Sequence, residues 1–145
     1  MRYLLVDGHS IIFAWPELRK IHSRRSGAGR DELIRRLTQY QDASGVFVVL
    51  VFDGRGAETS DVTEPGGIQV LYSGAGVTAD SVIERLCARY GEEHDLTVAT
   101  DDHMEQQTAL TFGASAISSE ILRQLVDDAG TDLQKRLKRL KRDNR

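Results

Sequence analysis

Four stretches put carboxylates where chemistry can use them. Asp7-Gly8 and Asp53-Gly54 each follow an apolar run, Asp80 follows Thr78-Ala79, and Asp101-Asp102 follow Leu96 to Thr100. Acids gathered in one place repel, and each is pushed toward protonation unless a cation joins them. Hard divalent ions such as Mg²⁺ and Mn²⁺ suit such a set, because they take oxygen ligands and keep several waters. An ion held this way polarises a phosphoryl oxygen and assists deprotonation of water. Thr100 adds a hydroxyl that can reach a water on the ion. Any one of these Asp residues is equally well explained as a helix cap or turn residue. Independent caps would not collect at a single edge, so the group is treated as one candidate site.

The elements around these residues explain why they should meet. Tyr3-Leu4-Leu5-Val6 and Val46 to Phe52 are apolar runs suited to strands buried on both faces. Ile68–Tyr72 and Leu96–Thr100 are further strands, and Ala114–Ile117 is a short edge strand. Helical spacing is expected from Ile11 to Ile21, broken at Trp15-Pro16, then over Asp31–Ala43, Ala79–Tyr90 and from His103 to near Gly113. Two more helices are expected, from Ser118 to about Ala129 and from Thr131 to Lys141. Arg19 to Arg30 is expected as a basic, glycine-containing loop, and Arg55 to Gly67 as a mobile polar one. This alternation predicts a mostly parallel sheet with helices on both faces. In such folds ligands bind beyond the carboxyl ends of the strands, where these acids fall.

Composition narrows the function. The chain has 145 residues, 40% hydrophobic and 28% charged, which are globular values. No run approaches the ~18 apolar residues of a membrane span, and the start lacks a signal-peptide core, so a cytoplasmic protein is expected. The single cysteine, Cys87, sits in an apolar helical pattern and is read as a core thiol. Trp15 and Tyr40 are read as packing residues. His9-Ser10 lacks the strained elbow of a nucleophile, and neither a phosphate-binding P-loop nor a dinucleotide fingerprint is present. Charge is divided unevenly. Lys135 to Arg145 holds seven basic residues and one acidic, whereas residues 1–134 hold 12 basic and 21 acidic. An acidic body with a basic tail suits a bound cation and a polyanionic partner.

Taken in order, the residues resemble the YacP-like NYN-domain family of the PIN-like nuclease group. The likeness runs through Leu4 to Ile12, Ala14 to Leu18, Arg30-Asp31-x-Leu33-Ile34 and Val51-Phe52-Asp53. It continues through Thr78-Ala79-Asp80 with Ile83-Glu84, Val98 to Asp102 with Glu105-Gln106, Phe112-Gly113-Ala114, and Ser118-x-Glu120-Ile121-Leu122. The resemblance implies a three-layer α/β/α PIN-like fold with a mostly parallel sheet over residues 1–130, and a basic helix or tail over 131–145. It also implies Mg²⁺- or Mn²⁺-dependent cleavage of RNA, in particular mRNA at the ribosome. Asp7, Asp80 and Asp102 match the family's acidic catalytic positions, and Asp53 matches its Asp after the second strand. The expected ligand set is therefore Asp7, Asp53, Asp80 and Asp102. Glu105 fits an Asp-x-x-Glu-Gln pattern that selects Asp102 over Asp101, and Ser10, Thr100, Asp101 and Glu105 are supporting residues. Asp101 stands where the family has Ser, Ser10 where it has Asn, and His9 where it has Tyr.

The expected function is a metal-dependent endoribonuclease that grips RNA through Arg19, Lys20, Arg24, Arg25 and Arg30, and through Lys135, Arg136, Lys138, Arg139, Lys141 and Arg142. Two rivals predict different behaviour. A non-catalytic RNA- or ribosome-binding module would bind without cutting. A metal-dependent phosphatase would turn over small phosphate esters and ignore loss of the tail.

Overall fold

The computed structural model describes residues 1–54, 60–63, 67–74 and 76–143, the side chains of Ser26 and of 60–63 excepted. The apolar runs become strands because β-branched and aromatic side chains suit a pleated surface covered on both sides. In chain order the elements are β1 (Arg2–Asp7), α1 (Gly8–Ala14), α2 (Pro16–Arg24), α3 (Ser26–Ser44), β2 (Phe47–Phe52), β3 (Ser60–Thr63), β4 (Gln69–Tyr72), α4 (Ala79–Tyr90), β5 (Asp95–Ala99), α5 (His103–Thr111), β6 (Ser115–Ile117) and α6 (Ser119–Asp143). The sheet runs β3-β4-β2-β1-β5-β6. All neighbours are parallel except the β3–β4 pair at one edge.

Alternation along β1 sorts the two cores. Leu4 and Val6 join Ile11, Leu18, Leu33, Leu37 and Leu122 beneath α1, α2, α3 and α6. Leu5 joins Val82, Ile83, Cys87 and Ala109 beneath α4 and α5. The result is a three-layer α/β/α domain, as the sequence leads one to expect.

Three local expectations change. The expected loop from Arg19 to Arg30 is helical, Arg19 to Arg24 belonging to α2 and Ser26 to Arg30 to α3; only Arg25 is extended between them (φ −158°, ψ 111°). Gly29 serves close packing there, since a Cβ at this position would lie 2.9 Å from Cβ of His22. Within the expected polar loop, Ser60–Thr63 pairs antiparallel with β4. Residues 55–59 and 64–66 of that loop, Ala75 of the Ser73–Gly76 link, and residues 144–145 of the tail lie outside the described residues. Finally, the two expected C-terminal helices are one, α6, continuous through Gly130. A mid-helix glycine costs only about 1 kcal/mol against Ala, and Val126 and Ala129 pack on the first core just before it.

Trp15 ends α1 and ties it to α6. Its backbone is extended ahead of Pro16, its ring is buried, and its Nε1–H donates to the Ser119 carbonyl at 3.1 Å. Beside it, the Glu17 carboxylate accepts from Arg36 of α3 at 2.7 Å and from Arg123 of α6 at 3.0 Å. Both guanidinium groups lie over the Trp15 ring, with centroid distances of 5.9 and 5.5 Å. Partial burial pushes the Glu17 carboxyl up, but the Arg123 and Arg36 hydrogen bonds outweigh it and bring it down to about 2. Its stabilisation is therefore complete above the unfolded value of 4.5 and is lost as pH falls toward 2. Replacing Glu17 by Gln is expected to cost about 1 kcal/mol at neutral pH. In urea titrations the gap between the two proteins should narrow steadily as the buffer is taken below pH 4.5.

Candidate metal centre

Strand alternation puts Asp7, two residues beyond Leu5, on the α4–α5 side of the sheet at the carboxyl end of β1. Asp7 is buried and caps α1. Its Oδ1 accepts from the Ser10 N–H at 3.5 Å, and its Oδ2 accepts from the Thr100 hydroxyl at 3.3 Å. Gly8 is required beside it, because a Cβ there would lie 2.2 Å from the Phe52 ring.

Asp80 enters on the first turn of α4, and two contacts set where that turn begins. Asp53 Oδ1, just past β2, accepts from the Ala79 N–H at 2.6 Å, and Thr78 Oγ1 accepts from the Ser81 N–H at 3.1 Å. Glu105 enters on the first turn of α5. Asp102 caps this helix, its Oδ1 accepting from the N–H groups of Met104 at 2.9 Å and Glu105 at 3.3 Å. Glu105 faces inward on the same side of α5 as Ala109. It is 6% exposed, and both carboxylate oxygens are buried with no hydrogen-bond partner among the described residues. One oxygen from each of Asp7, Asp80 and Glu105 lies within 4.8 Å of the other two.

Burial pushes the Glu105 carboxyl far above its ordinary range, and the neighbouring Asp80 and Asp7 carboxylates add to the effect. Asp7 is also raised, chiefly by burial and further by the charge of Asp80, against the pull of its hydrogen bonds. The N-termini of α4 and α5 direct their partial positive charge toward the group, but this does not neutralise three acids. The donor set is all oxygen, one member is buried and unpartnered, and the three are within reach of a single ion. These residues fit a hard divalent cation.

Among the described residues, the structure groups Asp7 and Asp80 with Glu105, and Asp102 and Asp53 fall outside that group. Asp102 Oδ1 caps α5, and Asp53 Oδ1 holds the start of α4, which places Asp80. Asp101 is turned away and fastens α6: its oxygens accept from the Ser119 N–H at 2.8 Å and the Ser119 hydroxyl at 2.6 Å. Thr100 is fully buried and its hydroxyl, expected to reach a water, instead bridges Asp7 and the Asp102 N–H. Ser10 Oγ accepts from the Asp101 N–H at 2.9 Å. The signal for Glu105 was a charged residue at a core-facing helical position, four before the buried Ala109. Cys87 is a buried core thiol, its pKa pushed up to about 11 by burial and then by Glu105 and Glu84. Arg19, Lys20, Arg24 and Arg25 are exposed, as are Lys135, Arg136, Lys138, Arg139, Lys141 and Arg142 on α6.

The model of the YacP-like NYN domain matches residues 4–145. The chain belongs to the YacP-like NYN family. It is 30% identical over 144 residues to an uncharacterized protein, YacP, of Bacillus subtilis strain 168, spanning 97% of this chain and 84% of that one. The crystal structure of Rae1 (YacP) from Bacillus subtilis superimposes with a TM-score of 0.81 at 32% identity, covering 99% of this chain and 84% of that one. Its W164L mutant also gives 0.81, at 28% identity, over 96% and 82% of the two chains. Among the described residues, no helix of this family member is long and apolar enough to cross a membrane.

If the three acids hold a cation, saturating Mn²⁺ should raise the thermal midpoint by the equivalent of about 2 to 3 kcal/mol at a hundredfold excess over Kd. Glu105→Gln should remove most of that shift without weakening the metal-free protein, since the amide resembles the protonated carboxyl that burial and the neighbouring acids favour there. Asp102→Asn, which can still cap α5, should retain the shift. Differential scanning calorimetry with Mn²⁺ and with chelator distinguishes these outcomes.

Proposed function

We propose that this NYN-family chain is a metal-dependent endoribonuclease that hydrolyses RNA phosphodiester bonds. The observation carrying the proposal is the convergence of Asp7, Asp80 and Glu105 at the carboxyl edge of the sheet, with buried Glu105 oxygens that lack a partner among the described residues. Membership of a family whose resemblance implies nucleases supports the same reading. Mg²⁺ or Mn²⁺ bound there would supply Lewis-acid charge to a phosphodiester oxygen and make water a stronger nucleophile near neutral pH.

The chain's own groups have separate duties in this reading. Asp7, Asp80 and Glu105 bind the ion. Thr100 and the Ser10 N–H orient Asp7, while Asp53 and Asp102 set the helix starts that deliver Asp80 and Glu105. The exposed cations on α2 and α6 hold RNA phosphates, either of the substrate or of ribosomal RNA around an mRNA. Their sequence-independent grip makes affinity depend on salt.

Incubating the chain with RNA and Mn²⁺, Mg²⁺ or chelator tests the proposal. Asp80→Asn should reduce cleavage by at least about a hundredfold, more than the loss usual for residues behind a metal's ligands, while RNA binding persists. Binding with no metal-dependent cutting before or after the substitution would establish the non-catalytic module instead. Turnover of an aryl phosphate without RNA cleavage would point to a phosphatase. Neutralising Lys135, Arg136 and Lys138 together should lower affinity across sequences and flatten the salt dependence, by roughly 0.7 in slope per lost phosphate contact.

A further inference from the structure

We propose that Phe13 and His9 form a stacking platform that positions one unpaired base of the bound RNA beside the acidic cluster. This rests on the nuclease reading and names residues that would position its substrate.

The platform is built on α1, whose Ile11 and Ile12 are fully buried and anchor the helix to the first core. Phe13 faces the other way and is 53% exposed. The ring is nevertheless held in place. One turn back, His9 stacks against it with centroids 6.3 Å apart and planes 20° apart. On another side, His22 of α2 meets it edge-on at 5.5 Å and 78°. His9 in turn stands edge-on to Phe52 at the end of β2, at 6.1 Å and 78°. A flat apolar surface prepared in this way loses little entropy on accepting another ring.

Its position ties it to the site. His9 follows Asp7 by two residues, and its Nε2 lies 3.9 Å from Asp53 Oδ2. The other oxygen of Asp53 holds the Ala79 N–H, next to Asp80. His9 is thus two positions from Asp7 along the chain and is joined through Asp53 to the first turn of α4, which carries Asp80. Charge around the platform suits a polyanion. Arg30 is half-buried, with its guanidinium over the rings of Phe52 and Tyr72 at 5.3 and 5.9 Å, and its Nε has no hydrogen-bond partner among the described residues. Lys20, Arg24 and Arg25 are exposed on or just beyond α2. Aromatic faces for bases with cations for the backbone are the recurrent chemistry of single-strand binding. A duplex keeps its bases stacked on one another and would offer this surface only its sugars and phosphates.

The test uses the full chain carrying Asp80→Asn, with Mg²⁺, and a short RNA strand containing one 2-aminopurine, alone or annealed to its complement. Phe13→Ala should weaken binding of the single strand about tenfold, within the range for loss of one base–aromatic stack, and abolish the fluorescence quenching. Phe13→Tyr should bind as the parent does, whereas Phe13→Leu, apolar but without a π face, should resemble Ala. Binding of the duplex should change less than about twofold. Equal affinity of the Ala variant and its parent for the single strand overturns the proposal. So does an equal loss for strand and duplex, or a Tyr variant as weak as Ala. The nuclease reading is judged separately, by metal-dependent cleavage in the chain that retains Asp80. Cleavage with an inert Phe13 defeats the platform alone, and stacking without cleavage defeats the nuclease alone.

Discussion

The repulsion among Asp7, Asp80 and Glu105 is the constraint on which the rest of the molecule turns. At separations within 4.8 Å, a pair of like charges costs on the order of 3 kcal/mol at an effective dielectric near 20. A typical hydrogen bond contributes about 1 kcal/mol net, so the few contacts to Asp7 cannot offset three ionised neighbours. Either a proton or a multivalent cation must sit among them. Burial of Glu105 sharpens the choice, because no donor among the described residues reaches its oxygens. Without metal the raised Glu105 and Asp7 carboxyls favour holding a proton, and a hard divalent cation would take its place among the three oxygens.

Around it, other acids do mechanical work. Asp53 fixes the first turn of α4, Asp102 the first turn of α5 and Asp101 the start of α6. Each spends its charge on backbone N–H groups at a helix N-terminus, where an anion is favoured by several unsatisfied donors. Because the caps set where each helix starts, they also set where Asp80 and Glu105 point. The acidic edge therefore has two populations. One faces inward and repels; the other faces the helices and holds the first together.

The opposite layer answers a different need. Trp15, Glu17, Arg36 and Arg123 lock α1, α2, α3 and α6 into one slab, and Asp101 links that slab to the strand end that carries Thr100. From there α6 continues past Gly130 with Leu137 and Leu140 exposed among its cations. Seven of the chain's 19 Lys and Arg residues are thus carried on one helix anchored at its first turns.

Much of this was present in one dimension. Apolar runs ending in Asp, the Pro16 break and the helical spacing of Val82, Ile83 and Cys87 are local patterns, and they fix the order of strands and helices and the edge where Asp7 and Asp80 appear. Ser60–Thr63 could not be read this way, since a short polar edge strand is held by backbone hydrogen bonds to β4 that no residue type announces. Nor could continuity of α6 through Gly130, which depends on Val126 and Ala129 finding the core. The ligand set lay between these cases. Sequence alone determined that several acids would crowd one sheet edge, because strand polarity and period two are local properties. Only the tertiary structure decided which of them face each other, because the turn of each helix about its axis is settled by caps and packing. That is why Glu105 looks into the cluster while Asp102, three residues earlier, caps the helix end.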